Sequence, residues 1–222
     1  MIQKTRGIVF RFTKYGETSI IVTIFTETFG LQSYMVNGVR SKSAKNKIAL
    51  YQPLTLVNLV VYHRENANIE RIKEIQCLYP YNTMTTDVRK SAIALFISEL
   101  LNKTVKDESH AEDLFKFISD SLITLDEMPV HFENFHLIFM LRLSRYLGFG
   151  VHHINEILGG RVTDEPTEKI LSTLLLSDYQ QVLTIPNVQR RELLDLILRF
   201  YTDHMETIGE MKSLQVLRDV LN

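Results

Sequence analysis

Hydrophobic and polar residues alternate in short segments over the first eighty residues of the chain, a pattern typical of β-strands with one buried face. The segment that begins at residue 18 is apolar on both faces at its start, which favours a central strand. The predicted strands span residues 7–12, 18–29, 31–39, 54–62 and 69–78. Five strands spaced about ten residues apart, with a longer connection after the third, indicate a small β-barrel.

After residue 80 the spacing of the apolar residues changes to that of amphipathic and buried helices. The predicted helices span residues 87–105, 111–125, 132–147, 167–176, 188–205 and 213–221. Residues 151–166 lack this periodicity and contain Gly159, Gly160 and Pro166, so a loop is predicted there. The pattern predicts an α+β protein, with a barrel domain at residues 1–80 and an all-α domain at residues 81–222.

The composition is ordinary for a globular protein: 222 residues, of which 45% are hydrophobic and 23% are charged. The single cysteine, Cys77, excludes an intramolecular disulfide and a multi-cysteine zinc site. Its apolar neighbours predict a buried thiol. The N-terminus lacks the apolar region of a signal peptide and no segment suits a membrane span, so a cytoplasmic protein without membrane association is predicted.

Charge divides the chain into a basic part and an acidic part. Residues 1–80 hold 11 Lys+Arg and 5 Asp+Glu, a net charge of +6, whereas residues 81–222 hold 14 and 21, a net charge of −7. Residues 28–64 contain no Asp or Glu, and four of their five cations lie within residues 40–47. A concentrated positive segment on a β scaffold suits a polyanion, which makes nucleic acid the first hypothesis.

The basic segment and its neighbouring strands supply the predicted DNA contacts. Lysine and arginine bind phosphates without reading sequence. The predicted phosphate contacts are Lys4, Arg11, Lys14, Arg40, Lys42, Lys45 and Lys47. Tyr34 is the predicted stacking residue, since single-strand-binding barrels combine a basic groove with aromatic platforms. A solvated surface loop is the alternative interpretation of the basic segment, and most of the aromatic residues are expected in the core.

The helical part offers one candidate surface for a protein partner. Phe139, Arg142 and Arg145 lie on the helix predicted at residues 132–147. Arginine beside an apolar surface suits an acidic peptide with a hydrophobic end. The alternative is arginine side chains that extend along a core helix.

Catalytic and metal-binding patterns are missing from the sequence. The chain contains no nucleophile elbow, phosphate-binding loop or dinucleotide-binding glycine motif, and its histidines lack metal-ligand spacing. A nuclease that uses Glu17 or Glu27 would need a carboxylate cluster that the sequence does not offer. We therefore expect a protein that is not an enzyme.

Five short motifs in the N-terminal part occur in an order and spacing that resemble one known family. They are Gly7-Ile-Val-Phe10, Tyr15-Gly-Glu-Thr18, Phe25-Thr-Glu27 with Gly30, Asn37-Gly-Val-Arg40 with Ser41-Lys-Ser43, and Leu50-Tyr-Gln-Pro53. Looser matches follow at Ile97-Ser-Glu-Leu-Leu101, Tyr146-Leu-Gly-Phe149 and Lys212-Ser-Leu-Gln-Val-Leu217. The chain resembles the RecO recombination mediators of bacteria over most of its length.

The resemblance implies an N-terminal OB-fold barrel, a C-terminal helical domain and a nucleoid-associated role in recombinational DNA repair. It implies binding to single- and double-stranded DNA, strand annealing, and partnership with RecR and with the C-terminal tail of single-stranded-DNA-binding protein. Many members carry a cysteine-rich zinc module after the segment matching Tyr146-Leu-Gly-Phe149. Here the chain continues Gly150-Val-His-His-Ile154 without cysteine, so neither a metal nor a cofactor is predicted. An RNA-binding or ribosome-associated barrel is the alternative function.

Overall fold

The computed structural model describes residues 1–41, 47–64, 67–106 and 111–221. The alternating segments form five strands: β1 (Ile2–Tyr15), β2 (Ser19–Thr26), β3 (Gly30–Val36), β4 (Leu56–Tyr62) and β5 (Glu70–Tyr79). A short 3₁₀ helix, Lys47–Tyr51, precedes β4. The described residues also form seven α-helices: α1 (Val88–Thr104), α2 (Ala111–Glu127), α3 (Phe135–Tyr146), α4 (Ile154–Leu158), α5 (Glu165–Leu176), α6 (Asn187–His204) and α7 (Ser213–Val220).

The strands close into a barrel in the order β1-β2-β3-β5-β4. The long strand β1 pairs antiparallel with both β2 and β4, while β3 and β5 meet in parallel. This closed five-stranded arrangement is an OB-type barrel. The predicted fold class, an α+β protein with an N-terminal barrel and following helices, is confirmed.

The barrel interior is filled by apolar side chains from all five strands, and at Gly7 of β1 it leaves no room for a side chain. A Cβ atom at Gly7 would lie 2.6 Å from Cγ2 of Ile24 and 3.0 Å from Cδ1 of Leu59. Carbon atoms do not approach this closely without strain. A glycine at this position of β1 therefore lets β2 and β4 pack across the barrel.

The chain folds into two compact units. The barrel unit comprises Met1–Tyr81 together with Val105–Ile123, and the helical unit comprises Asn82–Thr104 together with Thr124–Asn222. Within the barrel unit, the α2 side chains of Leu114, Phe115, Ile118 and Leu122 are buried. The guanidinium carbon of Arg6 on β1 lies 5.3 Å from the centre of the Phe115 ring, so α2 covers the outer barrel surface beside Arg6.

The start of the helical unit is held by a buried carboxylate. Asp126 is 2% exposed and accepts hydrogen bonds from the backbone N–H groups of residues 82, 83 and 84, the shortest at 2.7 Å. The buried ammonium group of Lys90 donates to the Asp126 backbone oxygen at 2.8 Å and to the Thr83 hydroxyl at 2.6 Å. Burial lowers the pKa of Lys90, against the raising effect of Asp126 and Asp87.

Two local predictions do not agree with the structure. The segment predicted as a loop contains α4, which ends at Gly159 with a left-handed φ of 56°. Cys77 is exposed on β5, so the prediction of a buried thiol is wrong.

Candidate nucleic-acid interface

A groove of about 650 Å³ lies along β3, the segment that follows β3, and β5. Three cations line it: Lys47 from the 3₁₀ helix, and Arg71 and Lys73 from β5. None of its described lining residues is acidic. We call this surface the basic groove.

Strand pairing places the two β5 cations in the basic groove. The parallel register sets Met35 of β3 opposite Arg71 of β5. Farther along β5, Val61 of β4 pairs with Ile72 and Val60 pairs with Glu74, so Lys73 is the extra residue of a β-bulge. The bulge lets Ile72 and Ile75 both pack against the barrel core despite their odd spacing, while Arg71 and Lys73 stay exposed.

The charges of the basic groove are largely available to a ligand. The Lys73 ammonium lies 4.0 Å from a Glu74 carboxylate oxygen, but both side chains are more than 40% exposed. Such surface pairs contribute little, about 0–1 kcal/mol, and are screened by salt. The groove therefore combines positive charge with an apolar lining that includes Val39, Leu50 and Tyr51, as in barrels that bind single strands.

A second depression of about 580 Å³ lies at the connection between β4 and β5. Its described lining consists of Tyr62, Arg64, Ala67, Ile69, Glu70 and Arg71. We call it the β4–β5 pocket. Since Arg71 lines both depressions, the β4–β5 pocket continues the basic groove.

The buried carboxylate of Glu70 organises the β4–β5 connection. Its side chain is 1% exposed, and one oxygen lies 2.9 Å from Nδ1 of His63. The same oxygen accepts a hydrogen bond from the backbone N–H of Arg64 at 2.9 Å. The His63 ring stacks on Phe29 with ring centres 4.0 Å apart. These contacts hold the backbone on which Arg64 is displayed.

The predicted cations of β1 lie away from the basic groove. Arg11 and Lys14 are exposed opposite Thr23 and Ile20 of β2. Lys4 lines a separate depression of about 530 Å³, whose other charged residues include Arg6, Glu27 and Glu74. The hydrogen-bonded pair of Arg6 and Glu27 raises the pKa of Arg6 and lowers that of Glu27. This mixed-charge surface suits a phosphate backbone less well than the basic groove does.

Of the four cations of the predicted basic segment, the structure describes two, and these two lie in different environments. Lys47 lines the basic groove and is exposed. Arg40 is half-buried, and its guanidinium donates to the carbonyls of Gly16 and Glu17. Arg40 therefore fixes the turn between β1 and β2. Lys42 and Lys45 lie outside the described residues.

Tyr34 cannot serve as the predicted stacking platform. Its side chain is fully buried in the barrel core, because its β3 register sets it opposite Val22 and Glu70. Burial, together with the charge of Glu70, raises the pKa of the Tyr34 hydroxyl. The prediction that Tyr34 contacts DNA is wrong for this structure.

Arg71 and Lys73 line the basic groove and Tyr62 lines the β4–β5 pocket, but the sequence analysis did not select them as candidate site residues. Arg71 and Lys73 occupy alternate positions of a predicted strand, which is a usable signal for two side chains on one exposed face. Their proximity to Lys47 depends on the long-range pairing of β3 with β5 and on the bulge at Lys73. Neither feature is visible in local periodicity.

The residues predicted to bind a peptide are mostly committed to the helical core. Phe139 is fully buried, so its predicted surface role is wrong. Arg142 donates to the Ser177 carbonyl at 3.2 Å and lies over the Tyr179 ring. Arg145 is exposed near the end of α3. A separate crevice of the helical unit, whose lining includes His136 of α3 and Arg190, has a volume of only about 20 Å³, enough for a water molecule but not for a peptide side chain.

Two further findings concern the described part of the chain as a whole. No group of three or more His, Cys, Asp or Glu residues with the geometry of a metal site occurs there. Among the described helices, none is both long and apolar enough to cross a membrane.

Comparison with known proteins identifies two matching family segments. Residues 1–81 match the family described as Recombination protein O N terminal. Residues 85–167 match the family described as Recombination protein O C terminal.

Curated relatives match the chain from end to end. A protein of Bacteroides fragilis named DNA repair protein RecO is 34% identical, and the match covers 100% of both chains. Proteins of the same name from Flavobacterium psychrophilum and Flavobacterium johnsoniae are 33% and 34% identical, with 99% of each chain covered.

Proposed function

Because the chain belongs to the RecO family of DNA repair proteins, we propose that it is a non-catalytic recombination mediator that binds DNA through the basic groove. In this role it anneals complementary single strands and helps to load recombinase onto DNA coated by single-stranded-DNA-binding protein. The observation that carries the proposal is the convergence of Lys47, Arg71 and Lys73 in one groove without a described acidic lining residue.

The chemistry of the basic groove favours contact with the DNA backbone. Ammonium and guanidinium groups bind phosphate oxygens of any sequence, and binding releases counterions from the DNA. Arg64 adds a fourth exposed cation through the β4–β5 pocket. Four phosphate contacts with a single strand correspond to a slope of roughly −3 in a plot of log affinity against log salt concentration.

The test measures the affinity for fluorescently labelled poly(dT) over a series of salt concentrations. We expect the triple variant Lys47→Ala, Arg71→Ala, Lys73→Ala to reduce the magnitude of the slope by about 2. A matched control replaces three exposed cations of the helical unit, Lys169, Arg199 and Lys212, by alanine. The control has the same change in net charge and should keep the slope of the wild-type protein.

Three results would contradict the proposed DNA interface. The first is binding that does not depend on salt, and the second is equal weakening in the triple variant and the control. The third is competition by poly(U) that exceeds competition by unlabelled poly(dT), which would favour the RNA-binding alternative.

The helical domain, residues 81–222, is the proposed docking site for protein partners. RecR and the acidic C-terminal tail of single-stranded-DNA-binding protein are the proposed partners, and Arg145 is the exposed cation of α3 available for the tail. The site of action is proposed to be the bacterial nucleoid. An annealing assay with complementary strands coated by single-stranded-DNA-binding protein tests the mediator role. Faster annealing supports it, and an unchanged rate contradicts it.

A further inference from the structure

The β4–β5 pocket displays an aromatic ring that the phosphate contacts of the basic groove do not use. Tyr62, the last residue of β4, has 43% of its surface exposed. It pairs directly with Arg71 across the strands. Most other aromatic residues of the barrel, including Phe12, Phe29 and Tyr34, are packed in or against the core.

Among the described residues, positive charge and apolar surface line the β4–β5 pocket together with Tyr62. Arg64 and Arg71 both line the pocket and are exposed. Ile69, also a lining residue, has 46% of its surface exposed. An aromatic face beside cations and an exposed aliphatic side chain suits a nucleotide, whose base is flat and largely apolar and whose phosphate is anionic. The volume of about 580 Å³ lies in the range of pockets that hold small ligands.

The position of Glu70 decides which part of a nucleotide enters the pocket. Its carboxylate lines the pocket but is buried, whereas the arginine side chains are exposed. A phosphate placed deep in the pocket would approach this carboxylate and be repelled, while an uncharged base would not. The base therefore fits inside on Tyr62, with the phosphates at Arg64 and Arg71.

We propose that Tyr62 stacks on a nucleobase of a single strand that lies in the basic groove, so that the β4–β5 pocket selects single-stranded over double-stranded DNA. A duplex keeps its bases stacked and cannot present one to the Tyr62 ring. This inference rests on the proposed DNA-binding function and adds a base-contacting subsite to it.

The first experiment separates base contacts from phosphate contacts. The affinity of the Tyr62→Ala variant is measured for poly(dT), for an abasic strand of equal length, and for duplex DNA. Base–aromatic stacking contributes ~1–3 kcal/mol per base, so poly(dT) affinity should fall by about five- to 150-fold. Affinities for the abasic strand and the duplex should stay within about twofold of wild type, since both bind through phosphates. The Tyr62→Phe variant keeps the ring and should bind poly(dT) like the wild-type protein.

Tyr146 provides a matched control. It is a tyrosine of the helical unit with 42% of its surface exposed, nearly the same as Tyr62. The Tyr146→Ala variant should bind all three DNA ligands with wild-type affinity. Thermal melting of both alanine variants checks that they are folded.

The second experiment observes stacking directly. The protein contains no tryptophan, so the variants Tyr62→Trp and Tyr146→Trp each carry one indole fluorophore. Poly(dT) should quench the fluorescence of the Tyr62→Trp variant, whereas the abasic strand should not. The Tyr146→Trp variant should respond to neither ligand.

The outcomes distinguish this inference from the proposed function. If wild-type binding is salt-dependent and the groove variant weakens it, but Tyr62→Ala binds poly(dT) as tightly as wild type, the stacking proposal is overturned while the groove stands. Equal losses for poly(dT) and the abasic strand also overturn it, because Tyr62 would then only position the arginines. If the wild-type protein binds no DNA, both the proposed function and the stacking inference that rests on it are wrong.

Discussion

The buried histidine of the helical unit should make the protein sensitive to mild acid. His136 on α3 is 1% exposed, and its ring meets Phe96 edge to face with ring centres 6.1 Å apart. Its Nδ1 atom has no hydrogen-bond partner among the described residues. Burial, reinforced by the charge of Arg190, lowers the pKa of His136 to about 3.

The size of the stability loss in acid follows from the difference in the proton affinity of His136 between the folded and unfolded chains. An unfolded histidine has a pKa of about 6.5, so it takes up a proton as the pH falls, while the folded protein keeps His136 neutral. The unfolded state then binds more protons, and the free energy of unfolding decreases. Between about pH 7 and about pH 5, this group alone should remove about 2 kcal/mol of stability.

Urea unfolding followed by circular dichroism at several pH values measures the effect. The His136→Leu variant replaces the imidazole by an apolar side chain of similar size, so it should unfold near the wild-type midpoint at neutral pH. At about pH 5 it should be more stable than wild type by about 2 kcal/mol. The His152→Gln variant changes an exposed histidine of the same unit and should follow the wild-type pH profile.

Parallel pH profiles of the wild-type protein and His136→Leu would refute the reasoning. They would mean that the folded protein protonates His136 as readily as the unfolded chain does. A lower stability of His136→Leu at acidic pH would refute the sign of the effect as well as its size.

Two further predictions concern hydrogen-bonded carboxylates of the helical unit, the buried Asp126 and the half-buried Glu99. Asp126→Ala leaves three backbone N–H groups without their acceptor and should lower the free energy of unfolding by about 3–5 kcal/mol. The control is Asp113→Ala, at an exposed site on the same helix. If urea unfolding shows that Asp126→Ala loses no more stability than Asp113→Ala, the prediction is contradicted. Burial raises the pKa of Glu99, but hydrogen bonds from Ser213 and from the Lys212 backbone outweigh burial and lower the pKa overall. Glu99→Gln should therefore cost about 1 kcal/mol at neutral pH, and thermal melting should show the difference shrinking as the pH falls below the ordinary glutamate pKa and through the lowered pKa of Glu99.

The barrel could be predicted because its strands carry strong local signals. Residues 18–29 and 54–62 are dense in β-branched side chains, and β2 and β4 formed within these segments. The helical boundaries were also close, since long periodic segments are the clearest patterns. The five-residue helix α4 was missed because so short a segment shows little periodicity.

The interface was harder to predict because it depends on pairing between distant segments. The density of cations at residues 40–47 drew the prediction to that segment, yet Arg40 holds a turn through backbone carbonyls. Arg71 and Lys73 join Lys47 only through the barrel closure. Tyr34 lies within β3 and Tyr62 ends β4, and only the register of the strands decides that the first is inside the barrel and the second outside.

The closure of the barrel between β3 and β5 has a consequence for how tightly a ligand is held. In the described part of the chain, two residue pairs join these strands, Tyr34 with Glu70 and Met35 with Arg71, whereas the ladder between β1 and β2 runs along most of both strands. Because fewer residues pair there, we expect this seam to open at a lower free energy than the antiparallel ladders do. A DNA strand bound across Arg71 would hold the seam closed. The free energy needed to close the seam would then reduce the net free energy of binding. A substitution that stabilises the pairing of β3 with β5 would therefore increase the affinity for DNA without adding a contact to the DNA.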